Sequence, residues 1–87
     1  MDIDAFVTAH RREWDRLDSL SRRSRRLSGA EADELVDLYQ RTATHLSAVR
    51  SAAPDPALVG RLSSLLARAR GAVTGQRASS YREVATF

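Results

Sequence analysis

The sequence predicts an all-α fold: an antiparallel up-down-up three-helix bundle over about 3–26, 29–51 and 56–74, plus a short C-terminal helix over about 81–87. Three observations carry this expectation. Apolar side chains recur every three or four residues through three long stretches, the spacing of one helix face. Helix-start signals, Ser28 with Glu31 and Asp55 ahead of Pro56, stand where two of those stretches begin. No stretch alternates apolar and polar residues with the period of two that a half-buried strand requires. A chain of 87 residues forms one domain with a small core, burying only about 60 to 65% of the surface its unfolded form exposes.

In the first helix the stripe runs Ile3, Val7, His10, Trp14, Leu17, flanked by Phe6 and Leu20. Its seam continues onto Ser21 and Ser24, so packing is expected to loosen in the last turns, where four arginines suit the negative end of the helix dipole. The second helix starts at the Ser28/Glu31 capping box and buries Ala32, Leu35, Tyr39, Thr42, Leu46 and Val49, with Leu38 and Ala43 widening the stripe. Before the third helix, Pro54 disfavours helix at Ala53, Asp55 is a ready N-cap, and Pro56 occupies the first turn. Its arc is Leu58, Leu62, Leu65, Ala69 and Ala72, with Val59, Leu66 and Val73 beside them. Gly71 and Gly75 suggest an end near residue 74. The strongest core candidates are Trp14, Leu17, Leu35, Tyr39, Leu46, Leu62, Leu65 and Leu66. Short connections force antiparallel neighbours.

The last residues, "ASSYREVATF", contain a second capping box, Ser80 with Glu83, which announces another helix. A helix of about two turns is marginal in water by itself. It turns apolar at "VATF", and the sequence therefore reads as residues 1–78 forming the bundle and 79–87 starting a juxtamembrane helix that continues into an apolar segment. Within these 87 residues no run approaches the 18 apolar residues of a membrane span.

The inventory narrows the chemistry. Cysteine is absent, which excludes disulfides, zinc-thiolate sites and thiol nucleophiles. All fourteen basic residues are arginine, so lysine chemistry is excluded too. No phosphate-cradling G-x-x-x-x-G-K-[ST], no G-x-G-x-x-G and no H-E-x-x-H occurs. The expectation is no enzyme, no catalytic residues and no cofactor. His10 lies mid-stripe in the first helix and His45 at the stripe edge of the second, with Asp4 and Glu13 the acids near His10. Antiparallel packing makes a two-histidine metal site geometrically conceivable, but hydrogen-bonded or rim histidines are the favoured reading, and the expectation is no metal.

Charge distribution says more than the net of +3: residues 1–37 carry seven Arg against nine acids, and residues 38–87 seven against two. Antiparallel topology brings the ends of the first and third helices together. Arg22, Arg23, Arg25 and Arg26 thus join Arg68, Arg70, Arg77 and Arg82 at a membrane-proximal basic end, where nearby acids leave a surplus of about three. Anionic lipid headgroups are the candidate ligand; nucleic acid fits less well, because the aromatics are committed to core stripes or the terminal helix rather than to base stacking. Gly60, Ser64, Ala67 and Gly71 form a stripe of small residues, a candidate helix-docking face; separately, a small bundle with apolar stripes on long helices is a candidate homodimer that completes its core by pairing.

The segments "MDIDAFVTAHRREWDRL", "LSGAEADELVDLYQRTATHLSAVRSAAPDPALVGRLSSLLARARGAVTG" and "YREVATF" together resemble the N-terminal segment of stage II sporulation protein M family members from high-GC Gram-positive bacteria. The resemblance covers nearly the whole chain and rests on overall similarity, with no catalytic signature. It implies the cytosolic preface of a polytopic membrane protein, partnered by its own transmembrane segments and by other membrane or cell-envelope proteins. In endospore formers the namesake acts with cell-wall hydrolases during engulfment. The functional expectation is a non-enzymatic cytosolic helical domain at the cytoplasmic face of the cell membrane, mediating protein-protein or membrane-proximal contacts. The alternative is a small basic helical nucleic-acid-binding protein.

Overall fold

The computed structural model describes residues 2–52 and 55–85, the stretch 76–85 by its backbone alone. Its elements are α1 (Ile3–Arg22), a 3-10 turn (Ser24–Arg26), α2 (Gly29–Ala52) and α3 (Pro56–Ala85). Among the described residues there is no strand, and the fold is an all-α bundle of packed helices.

Local chemistry sets the helix starts. Asp2 caps α1, its carboxylate accepting from the Ala5 amide at 3.2 Å. The Ser28/Glu31 box forms reciprocally: the Glu31 amide donates to Ser28 Oγ, and the Ser28 amide to Glu31 Oε1, both at 3.1 Å. Asp55 Oδ1 accepts from the amides of Ala57 at 2.9 Å and Leu58 at 3.1 Å, so two otherwise orphaned first-turn donors are satisfied beside Pro56. The expected effect of Pro54 on Ala53 lies outside the described residues.

Two expected boundaries change. The first helix, expected to reach residue 26, ends at Arg22; Arg23 leaves helical geometry at φ −104°, ψ 22°, and the chain tightens into the 3-10 turn closed by the Arg26 amide on Arg23 O at 2.8 Å. The physical reason is that the stripe lacks an apolar residue at 24, and four guanidiniums crowd one turn. Leu27 then takes an extended conformation and packs against the core, turning the chain toward α2. The short helix expected over 81–87 is not separate: α3 runs unbroken from Pro56 to Ala85, with residues 86–87 outside the described ones. Gly71 and Gly75 do not stop it, because a helical glycine costs only about 1 kcal/mol relative to alanine and no proline follows.

Ion pairs fix the directions of the helices. Residues 13 and 16 of α1, and Arg23 just past its end, pair with 41, 34 and 31 of α2, a descending register that makes the two antiparallel. Asp15 and Asp18 of α1 pair with Arg61 and Arg68 of α3, an ascending register that makes those two parallel. The chain thus goes up, down and up. From Arg68 opposite Asp18, α3 continues about 20 Å past the level at which α1 ends.

The core lies on the common axis. Trp14, Leu17 and Leu20 of α1 meet Leu35, Leu38, Leu46 and Val49 of α2 and Leu58, Leu62, Leu65, Ala69 and Ala72 of α3. Tyr39 and Leu66, expected in this core, are only partly buried and pack on its edge. Ser21, where the seam was expected to loosen, is buried; its hydroxyl donates to Leu17 O at 2.7 Å and so needs no outside partner.

Candidate functional site

Two groups of side chains stand out, at opposite ends of α1. At its C-terminal end the arginine cluster assembles because α1 and α3 are parallel and the 3-10 turn packs on α3. Several of the expected arginines there are occupied. Asp18 takes Arg22 at 3.0 Å and is also hydrogen-bonded by Arg68; Glu31 takes Arg23 at 3.0 Å. Partial burial pushes the Asp18 carboxyl up, but the hydrogen bonds and charges of Arg22 and Arg68 outweigh it and hold it below the usual range. The Ser28 amide, then Arg23, do the same for Glu31. Beside them Arg16 grips Glu34 through two bonds of 2.9 Å, which lowers the Glu34 carboxyl.

Arg25, Arg26 and Arg70 are exposed and carry no ion pair among the described residues. The side chains of Arg77 and Arg82 lie outside the described ones. The uncompensated charge at this end is therefore concentrated on the 3-10 turn and the outer face of α3. Arg22, Arg23, Ser24, Arg25 and Arg26 line a shallow depression there.

The small-residue stripe is open. Gly60, Ser64, Ala67 and Gly71 are all exposed, and a Cβ added at Gly60 or Gly71 would meet no atom within 4 Å. Ser64 also borders a cleft of about 240 Å³ between α1 and α3, lined by Trp14, Asp15, Asp18, Arg61, Leu65 and Arg68. The Arg61 guanidinium stands 5.9 Å from the Trp14 ring centroid and its tip 3.8 Å from Asp15.

At the N-terminal end of α1 the two histidines of the chain meet. The rings of His10 and His45 are 4.0 Å apart with an interplanar angle of 35°, and Phe6 packs on both. Trp14 is 1% exposed, and its indole N–H donates to His45 Nδ1 at 3.0 Å, so this buried donor is satisfied by His45 acting as acceptor. Glu13 Oε1 lies 3.1 Å from His10 Nδ1, one turn along the same face of α1. Burial lowers the His45 pKa, His10 and Arg41 lower it further, and Glu13 opposes them. The sequence placed His10 mid-stripe and His45 at the edge of the second stripe, with antiparallel packing bringing His45 near the start of the first helix. It gave no signal for the Trp14 to His45 bond, which depends on the register between two helices.

The sequence pattern of a family described as Domain of unknown function (DUF8413) matches residues 4–75. The chain belongs to this family. The DUF8413 stretch contains every core residue, the histidine cluster and the 3-10 turn, and it stops where α3 continues past the other helices. No curated protein and no solved structure matches the chain.

Proposed function

We propose that this domain is a non-enzymatic helical module on the cytosolic side of an integral membrane protein, resembling the N-terminal segment of stage II sporulation protein M. In this reading it sets its arginine-rich end against the inner face of the membrane and makes contacts there with its own transmembrane segments and other envelope proteins. The observation that supports it best is the gathering of Arg25, Arg26 and Arg70, exposed and without an ion pair among the described residues, at the end from which α3 extends.

Magnitudes define what such an end does. A basic residue near an anionic surface contributes about 1 kcal/mol, so three supply about 3 kcal/mol, roughly a hundredfold in an equilibrium constant. That is enough to orient a tethered domain and too little to recruit a free one tightly. The contact is therefore measured at low ionic strength, where screening is weakest.

The test is co-sedimentation with phosphatidylserine-containing vesicles against phosphatidylcholine vesicles. Binding to the anionic vesicles alone, falling with salt and abolished in an Arg25→Glu/Arg26→Glu/Arg70→Glu variant that remains helical, is the expected result. Equal binding by that variant contradicts the reading. Tighter binding to duplex DNA with a steep salt dependence replaces it with the nucleic-acid alternative.

A further inference from the structure

We propose that His10, Glu13 and His45 form a binding site for a divalent transition metal of the Zn²⁺ class, clamping the start of α1 to the end of α2. The two histidines, far apart in sequence, meet with ring centroids 4.0 Å apart and planes tilted by 35°, and Glu13 adds a carboxylate one helical turn from His10. One ligand atom from each of the three lies within 4.8 Å of the others. Zinc to ligand bonds of about 2.0 to 2.2 Å set ligand atoms roughly 3.4 Å apart around a tetrahedral ion, so side-chain rotation closes the difference. Two imidazoles and one carboxylate, with water completing the shell, suit zinc; a hard ion such as Mg²⁺ prefers an all-oxygen set.

A purely structural role accounts for only part of this arrangement. Trp14 needs an acceptor for its buried N–H, and His45 supplies one. That need explains neither the second imidazole set against His45 nor the carboxylate beside that imidazole. All three side chains are half-buried, so an ion reaches them and still gains from partial desolvation. One charge opposes binding: Arg41 lies 3.8 Å from Glu13, although it makes a shorter 3.0 Å pair with Asp37.

The hydrogen bond from Trp14 gives the site a distinctive signature. If the metal takes His45 Nδ1, it replaces the indole proton there. If it takes Nε2, the imidazole proton moves to Nδ1 and confronts the indole N–H. Either way the Trp14 to His45 bond opens on metal binding, so the single tryptophan of the chain reports occupancy.

The experiment titrates the untagged full chain with Zn²⁺, reading heat and Trp14 fluorescence, with Mg²⁺ as the control. One Zn²⁺ per chain, a fluorescence change of matching midpoint and a raised melting temperature are expected, with no response to Mg²⁺. His10→Ala and Glu13→Gln, both at half-exposed positions, are expected to weaken Zn²⁺ at least tenfold while leaving the helical signal intact. Trp14→Phe removes the competing donor and is expected to bind Zn²⁺ more tightly. Unsaturable Zn²⁺ binding, or unchanged affinity in His10→Ala, overturns the site.

Discussion

Thr42 and Trp14 show how differently two buried polar groups are handled one helix apart. The Trp14 N–H has His45 as acceptor, whereas the Thr42 hydroxyl, fully buried, has no hydrogen-bond partner among the described residues. An unpaired buried hydroxyl forfeits its hydration, so Thr42→Val, which keeps the shape, is expected to stabilise the domain by about 1 kcal/mol. Urea unfolding measures this; destabilisation by the variant would mean the hydroxyl is satisfied. Both residues were legible as inward-facing from helical spacing alone. Tyr39 and Leu66 were legible only as apolar; a stripe drawn on one helix does not say how far the neighbouring helices wrap around it, and these two fall at its edge.

Helix starts were readable, and so was the end of α2, expected near 51 and found at Ala52, but the ends of α1 and α3 were not. Ser28, Glu31 and Asp55 act through side chains fixed in sequence, and each cap forms as spelled. The ends depend on what the chain gains by continuing. α1 stops where burial runs out, while α3 passes through Gly71 and Gly75, and the Ser80/Glu83 signal falls inside a helix already under way. A capping box marks a start only where the preceding residues have left helical geometry. The helical backbone at Gly71, with open space around a new Cβ, gives a direct test. Gly71→Ala is expected to stabilise by about 0.5–1 kcal/mol, seen as a rise in melting temperature. A fall would mean that the small-residue face is covered in solution.

Over the whole molecule, charge is paired along the helix seams, while among the described residues Arg25, Arg26 and Arg70 at one end, like Arg11, Arg12 and Arg50 elsewhere, carry no ion pair. Asp18, Glu31 and Glu34 are held below their usual pKa by arginines and, at Glu31, by a backbone amide. Their stabilisation is present above the unfolded carboxylate pKa of about 4 and is lost as pH falls through the lower folded values. Melting temperature is therefore expected to drop below about pH 4, and Asp18→Asn to flatten that drop. A profile identical in the variant would remove Asp18 from the account. A gathering of arginines at one end was expected from topology and the charge count. Which arginines stay unpaired was not, since that follows from the angle at which each leaves the backbone near Asp18 and Glu31. The meeting of His10 and His45 was anticipated as a possibility of antiparallel packing, but the involvement of Trp14 was not.

The orientation of the bundle is most directly measured by amide line broadening in the presence of nanodiscs containing phosphatidylserine. Broadening that begins at residues 22–26 and around Arg70, and spares the His10 and His45 end, is the expected result. Broadening centred on the histidine end, or spread evenly over the three helices, would contradict a basic end that faces the membrane.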